Sequence, residues 1–234
     1  MSYRMMLLAF VPLFSAVAGD GGCPVSQNKM GRENTEWSIS YAFHMTDENR
    51  NLPRVLLVGD SICNGYQEGV RKLTDGRCNV SYWVSSYCVT RPEYLRLLEF
   101  YLDDSEYAVI HFNNGLHSTR TETPKWASAL SDVFRLIRDK QPKAKIVWAT
   151  STPLKSAEKS VKVRELNEAA SEVVRNLGGI VVNDLYSLLD PFDREEYWSD
   201  MYHHKMNLRQ KEAEQVATTV LSILPASPSA ELRK

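Results

Sequence analysis

Short apolar runs alternate along this chain with longer stretches in which apolar residues recur every three or four positions. The first pattern predicts buried strands, and the second predicts amphipathic helices. The predicted strands are 54–58, 79–84, 107–112, 145–150 and 179–182, and the predicted helices are 64–73, 92–102, 124–140, 160–177 and 208–224. Strands that alternate with helices indicate a parallel sheet with right-handed crossovers. We therefore expect an α/β fold with five parallel strands.

The same pattern divides the chain into segments. A single domain is predicted over 53–224, because no linker-like stretch or internal repeat interrupts it. An extension over 19–52 precedes it. Within this extension Trp37–Phe43 alternates, which predicts either an extra strand or a segment that packs across the domain. The tail over 225–234 is rich in Ala, Ser and Pro and is predicted to be disordered.

The N-terminus has the pattern of a targeting segment. Arg4 precedes an apolar stretch over 5–17, and Ala16-Val17-Ala18 has the small-x-small form of a cleavage site. This length and these flanks predict a signal peptide over 1–18 rather than a membrane span. The mature chain would begin at Gly19 and be secreted or periplasmic. No other apolar run is long enough to cross a membrane.

Composition and charge narrow the function classes. Of 234 residues, 43% are hydrophobic and 24% charged, which is ordinary for a globular domain. The formal net charge is −1, so no nucleic-acid or anionic-membrane partner is predicted. Neutral or sugar-like substrates suit such a chain at least as well as charged ones.

Four cysteines, Cys23, Cys63, Cys78 and Cys88, lie in the first part of the predicted mature chain. An exported protein can oxidise them, and three pairings are open. They lack the Cys-x-x-Cys spacing of a zinc site, so no metal is predicted. For Cys63 a buried or disulfide-bonded role is favoured over a nucleophilic one. Asn79-Val80-Ser81 is a glycosylation sequon if the source is eukaryotic.

The first stretch that contains candidate reactive residues is Val55–Ile62, an apolar run that leads into Gly59-Asp60-Ser61. A serine between a strand and a helix lies at the rim of a sheet. There the first free N–H groups of the helix can stabilise an oxyanion. Asp and Ser are also ordinary capping residues, so this tripeptide needs a second signal.

That second signal is Asp200-x-x-His203, just before the last predicted helix. An acyl-transfer serine needs a general base, and the base needs an acid that holds its tautomer and orientation. We therefore predict a catalytic triad of Ser61, His203 and Asp200. The alternative is a capping Asp beside a surface histidine. His204 competes with His203 as the base, but it lies one residue too far from Asp200 for this motif.

These two blocks resemble the SGNH hydrolase superfamily, also called GDSL esterases. A third block, Val109–His117, resembles the family's Gly-x-Asn-Asp block when aligned on Gly115. His117 then occupies the position of the Asn that helps to form the oxyanion hole. The Asn-x-Gly-Leu-His version is similar to a recurrent branch of the superfamily. The resemblance covers about 53–222 and implies a three-layer sandwich with a five-stranded parallel sheet, the flavodoxin-like SGNH hydrolase fold.

The oxyanion hole is where this chain departs from the family pattern. The glycine that family members usually carry after the second strand is missing, which leaves the backbone N–H of Ser85 or Ser86 as a donor. The predicted oxyanion side chains are Asn113 and His117, with Asn114 as an alternative. Each of these residues has the alternative role of capping and ordering its loop.

Export, near-neutral charge and the resemblance together predict a serine esterase that acts on small acyl esters, acetyl above all. The expected substrate is a small molecule or a polysaccharide that carries the ester. No cofactor is predicted. The alternatives are a lipase or thioesterase of the same fold, and a non-catalytic carbohydrate-binding descendant.

Overall fold

The computed structural model describes residues 35–225. The signal peptide predicted for 1–18, Cys23 and nearly all of the predicted tail lie outside the described residues. The strands are β1 (Ser38–Tyr41), β2 (Arg54–Gly59), β3 (Asn79–Ser85), β4 (Val109–Phe112), β5 (Lys145–Ala149) and β6 (Ile180–Asn183). The helices are α1 (Ser61–Leu73), α2 (Tyr94–Leu102), α3 (Thr123–Lys140), α4 (Ser160–Leu177), α5 (Leu185–Leu189), α6 (Arg194–Tyr197) and α7 (Met206–Ile223).

All six strands form one sheet in the order β1-β3-β2-β4-β5-β6. Strands β2 to β6 pair in parallel, which confirms the predicted parallel core. The sheet has one strand more than the five predicted. This strand, β1, runs antiparallel to β3 at the edge of the sheet and comes from the alternating segment Trp37–Phe43.

Strand β2 shows why the sheet is covered on both faces. Val55 and Leu57 belong to a core cluster with residues of α1 and α7, whereas Leu56 and Val58 belong to a second cluster with residues of α2, α3 and α4. Successive side chains of a strand point to opposite faces, so a continuous apolar run serves both layers. The result is the predicted three-layer sandwich.

Three further expectations from the sequence can be compared with the structure. Asn79 is buried at the start of β3 and donates its side-chain N–H to the carbonyl of Asn49 at 2.8 Å, so the folded protein does not present the sequon for glycosylation. Cys63, Cys78 and Cys88 carry free thiols, so no disulfide joins any two of these three. Among the described residues, no helix has both the length and the apolar character needed to cross a membrane.

Candidate active site

Ser61, His203 and Asp200 meet at the edge of the sheet where the parallel strands end. The Oγ of Ser61 lies 2.8 Å from Nε2 of His203. On the other side of the ring, Nδ1 of His203 lies 2.7 Å from Oδ2 of Asp200. The structure thus brings together all three residues of the predicted triad, across 142 positions of sequence.

The turn from β2 into α1 places the serine. At Gly59 an added Cβ would lie 2.4 Å from the Cβ of Cys63, so only glycine lets the strand meet the helix this closely. Asp60 caps α1 by accepting the N–H of Ile62 at 2.9 Å. This cap starts the helix at Ser61, three residues earlier than predicted. Ser61 therefore lies at the positive end of a helix of 13 residues.

Asp60 is fully buried directly beside the serine. Burial raises the pKa of its carboxyl, and electrostatic interactions with His117 and His203 oppose that shift only in part. Both histidines are therefore within electrostatic reach of the turn that carries Ser61.

A tight turn holds the histidine and its acid. Oδ1 of Asp200 accepts the backbone N–H groups of Tyr202 at 2.8 Å and His203 at 2.9 Å. Partial burial disfavours the charged carboxylate, but these bonds and the one from the His203 ring hold the pKa of Asp200 at about 2. An ionised Asp200 assigns the ring proton to Nδ1, which leaves Nε2 free to accept the hydroxyl proton of Ser61.

The two adjacent histidines have different surroundings. His204 is buried, with Nδ1 3.1 Å from Oε1 of Glu212, whereas Nε2 of His203 lies 2.8 Å from Oγ of Ser61. His203 is therefore the histidine positioned to act as a base.

The asparagines of the third block hold their loop in place. Asn113 donates its side-chain N–H to the carbonyl of Ala149 at 2.8 Å, and Asn114 donates to the carbonyl of Tyr87 at 2.7 Å. These contacts fit the loop-ordering alternative. An oxyanion role for Asn113 stays a prediction.

His117 lies in a single 3₁₀ turn, Leu116–Ser118, that follows Gly115. At Gly115 an added Cβ would lie 1.8 Å from Oγ of Ser151, so a side chain there would displace this turn. The His117 ring is half-buried and meets the ring of Trp37 edge-on, with centroids 6.4 Å apart. An oxyanion role for His117 also stays a prediction.

The N-terminal extension reaches the site, which sequence reasoning missed. The N–H of Ser86 donates to the carbonyl of Trp37 at 3.1 Å, and Oγ of Ser86 accepts the N–H of Trp37 at 3.0 Å. One of the two predicted backbone donors, Ser86, is therefore already committed to another acceptor. The alternation over Trp37–Phe43 was the only sequence signal for this contact.

Cys63 and two further buried residues, Trp148 and His111, prove structural. Trp148 is buried in the core. Cys63 is also buried, and its burial is the main cause that raises the pKa of its thiol to about 12. His111 is buried as well, and Nε2 of its ring lies 3.1 Å from Nδ2 of Asn183. Within residues 35–225, no cluster of His, Cys, Asp or Glu is suited to a metal ion.

Comparison with known proteins gives matches only at the level of structure. No protein-family model matches this chain, and no curated protein matches it in sequence. A family 3 carbohydrate esterase from Talaromyces cellulolyticus aligns with a TM-score of 0.60 at 13% identity, covering 73% of this chain and 97% of that one. An acetyl esterase variant with an acetate ion aligns with a TM-score of 0.61 at 12% identity, covering 73% and 97%.

A candidate SGNH hydrolase from Slackia heliotrinireducens aligns with a TM-score of 0.59 at 15% identity, covering 73% of this chain and 100% of that one. At identities this low the likeness establishes the fold and carries no activity across. The fold predicted from the serine, histidine and third blocks is confirmed. This chain therefore has the fold of the SGNH hydrolases, also called GDSL esterases.

Proposed function

We propose that this protein is an exported serine esterase that removes small acyl groups, acetyl above all, from carbohydrate esters. The observation that carries the proposal is the hydrogen-bonded series from Ser61 through His203 to Asp200, at 2.8 and 2.7 Å. A serine, a histidine and a carboxylate in this order activate the hydroxyl for acyl transfer. Export rests on the signal peptide predicted for residues 1–18.

In the first half-reaction, Oγ of Ser61 attacks the ester carbonyl carbon while its proton moves to Nε2 of His203. The imidazolium that forms is stabilised by Asp200. Nε2 then returns the proton to the leaving alcohol as the carbon–oxygen bond of the ester breaks. An acyl group remains on Ser61.

In the second half-reaction, water attacks the acyl group and gives its proton to Nε2. The carboxylic acid leaves, and Oγ of Ser61 recovers its proton. In both halves the negative oxygen develops near the start of α1, where the N–H of Ser61 and the helix dipole stabilise it. His117 is the side chain we assign as a further donor.

The support for a carbohydrate ester as the substrate is less specific than the support for the serine mechanism. The carbohydrate esterase and the acetyl esterase described above share this fold, and a net charge of −1 suits a neutral sugar ester. A substrate with a long acyl chain would instead point to a lipase or thioesterase of the same fold.

One observation favours a non-catalytic carbohydrate-binding protein as the second candidate. The N–H of Ser86 is already donated to Trp37, so a donor predicted for the oxyanion is used elsewhere. A protein that only binds carbohydrate has no need of that donor. It would equally have no need of the hydrogen-bonded Ser61, His203 and Asp200, which is why we rank it second.

The test is hydrolysis of p-nitrophenyl acetate by the chain from Gly19 onward, beside its Ser61→Ala variant. Loss of the nucleophile is expected to lower kcat by about 10⁴- to 10⁶-fold with little effect on stability. Ser222→Ala is the matched control, because Ser222 is exposed near the end of α7. It should retain full activity.

Acetylated polysaccharides and p-nitrophenyl esters of increasing chain length complete the assay. Ser61-dependent release of acetate from the polysaccharide would support the proposed substrate. A preference for long acyl chains would favour the lipase. Equal rates for the Ser61→Ala variant and the unmodified protein on every ester would overturn the esterase and favour the binding protein.

A further inference from the structure

A buried histidine and a buried glutamate lie next to the site: His204 follows His203 in the chain, and His204 and Glu212 line one small cavity with Ser61. His204 and Glu212 each expose only 1% of their side chains, and Nδ1 of His204 lies 3.1 Å from Oε1 of Glu212. Burial raises the pKa of Glu212, and the contact with His204 opposes part of that shift. Burying ionisable side chains is costly, so two of them side by side in this position call for an explanation.

A small cavity connects this pair with the site. Its walls include Ser61, Gly65, His203, His204, Arg209 and Glu212, and its volume is about 10 Å³. A cavity of about 10–15 Å³ holds one water molecule where polar groups line it.

The exposed part of the site depends on a buried support. Asp200 and His203 expose 54% and 36% of their side chains, so few protein atoms pack around these side chains to hold them in place. Just before and after the turn lie Trp198 and His204, which form an isolated antiparallel bridge. Their rings meet edge-on, with centroids 4.8 Å apart.

A second contact ties this support to α7. Nε of Arg209 donates to the carbonyl of His204 at 2.7 Å, and Glu212 lies one helical turn further along the same helix. His203 and His204 are consecutive in the chain, and their side chains differ in exposure, 36% against 1%. Anchoring the His204 side chain in the core therefore fixes the direction in which His203 projects.

We propose that His204 and Glu212 are positioning residues that hold the His203 ring in line with Ser61. This inference rests on the proposed function for its catalytic readout. Neither residue touches the reacting atoms. Their effect is to keep the Nε2–Oγ distance at 2.8 Å on a turn that is otherwise exposed.

The test variant is Glu212→Gln, which keeps the shape of the side chain and replaces the carboxyl group by an amide that cannot ionise. A small displacement of a catalytic group lowers turnover by about tenfold to a hundredfold, so we expect kcat to fall by that amount with KM changed less than about twofold. The control is Glu214→Gln, an identical change at an exposed position of the same helix. It should leave kcat and KM unchanged.

A spectroscopic readout separates positioning from simple loss of stability. The proton on Nδ1 of His203, shared with Asp200, should give a downfield NMR resonance at low temperature, where exchange is slow. We expect this resonance to weaken or disappear in Glu212→Gln while the rest of the spectrum stays that of a folded protein. A purely structural role would lower Tm and leave both the resonance and kcat unchanged, which would overturn the inference.

Arg209→Met is the second variant, and it decides the matter if Glu212→Gln does not fold. It removes the donor to the His204 carbonyl from a half-buried position while keeping the stem of the side chain. A lower kcat at unchanged KM is expected, and unchanged kcat with an unchanged resonance would contradict the inference.

If the unmodified protein hydrolyses no ester and no serine-directed phosphonate labels Ser61, the proposed function fails. The resonance still tests the positioning role in that case.

Discussion

Asp200 accepts three hydrogen bonds within its own turn, two from backbone N–H groups and one from the ring of His203. The backbone bonds form the turn, and the ring bond fixes the tautomer of the base. One carboxylate therefore has a structural and a chemical role, and each of its oxygens serves one of them. This division suggests a substitution that removes the chemical role and keeps the structural one.

In Asp200→Asn, the amide oxygen can still accept the N–H groups of Tyr202 and His203. The amide nitrogen is a donor, so it cannot accept the proton on Nδ1, and the ring loses the tautomer that the mechanism needs. We expect kcat to fall by about 10⁴-fold with a small change in Tm.

The comparison is with Asp200→Ala, which removes both roles and should lower kcat and Tm together. Steady-state kinetics and thermal unfolding of the two variants check this expectation. Equal loss of Tm in both would show that the two oxygens do not divide their roles in this way.

The residues of the triad were predictable from the sequence and the remaining donors were not. Asp200 and His203 lie in one short turn, so their spacing alone indicates their contact. The asparagines and Ser86 are different, because each has several acceptors within reach. Asn113 donates to Ala149 and Ser86 donates to Trp37, partners 36 and 49 positions away. Only the packed fold decides between such partners.

At the scale of elements, α1 and α7 bring the two halves of the site together. Helix α1 begins at Ser61, and α7 begins three residues after His203. Gly69 of α1 lies against α7 so closely that an added Cβ would be 2.6 Å from the Cβ of Ala213. The separation of the two helices, and with it the alignment of Ser61 and His203, depends on that glycine.

We expect Gly69→Ala to lower the free energy of unfolding by about 1–3 kcal/mol, because the new methyl group overpacks the contact. It should also lower kcat, since α7 has to move away from α1. Gly65→Ala is the control for stability, because its Cβ would meet only the side chain of Arg209, at 3.5 Å. There the better helix propensity of alanine should raise stability by up to about 1 kcal/mol.

Urea unfolding of both variants, with kinetics on the same samples, measures the two effects. If Gly69→Ala were as stable and as active as the unmodified protein, α1 and α7 would have room that the close contact excludes.

The elements that sequence reasoning predicted are those with long, regular patterns. All five parallel strands and the five long helices were predicted, with ends that differ by at most three residues. Helices α5 and α6, with five and four residues, were not predicted, because such short segments show no helical period. Asp184 and Asp193 cap them, and those bonds depend on how the chain packs.

At the scale of the whole molecule, the sheet order explains why residues distant in sequence share one site. Strand β2 lies between β3 and β4, so the loops that follow all three strands meet around Ser61. A binding site at the C-terminal edge, where the strand order reverses, is the rule for open parallel sheets. The alternation of strands with helices in the sequence was enough to predict a site at that edge. The alternation over Trp37–Phe43 predicted an extra strand only as one of two alternatives, and the antiparallel pairing of β1, which brings Trp37 to the same edge, did not follow from the sequence.

The centre of the sheet also carries a group that links folding to pH. His111 lies in β4 with none of its surface exposed, and Nε2 of its ring contacts Asn183 of β6 at 3.1 Å. Burial disfavours the charged ring and lowers its pKa from 6.5 to about 4. In the unfolded chain the same ring titrates near 6.5, so between these two values the unfolded state binds the extra proton.

The free energy of unfolding must therefore fall as pH falls from about 6.5 to 4. Below that range His111 causes no further loss, because its ring is protonated in both states. The two pKa values imply a loss of roughly 3 kcal/mol from His111. In His111→Gln this titration is absent, so the free energy of unfolding should change less over that range. His44→Gln, at an exposed position, should keep the full pH dependence of the unmodified protein. Urea unfolding at pH 7, 5.5 and 4 measures the difference, and parallel curves for His111→Gln and the unmodified protein would show that His111 does not set the acid limit of the fold.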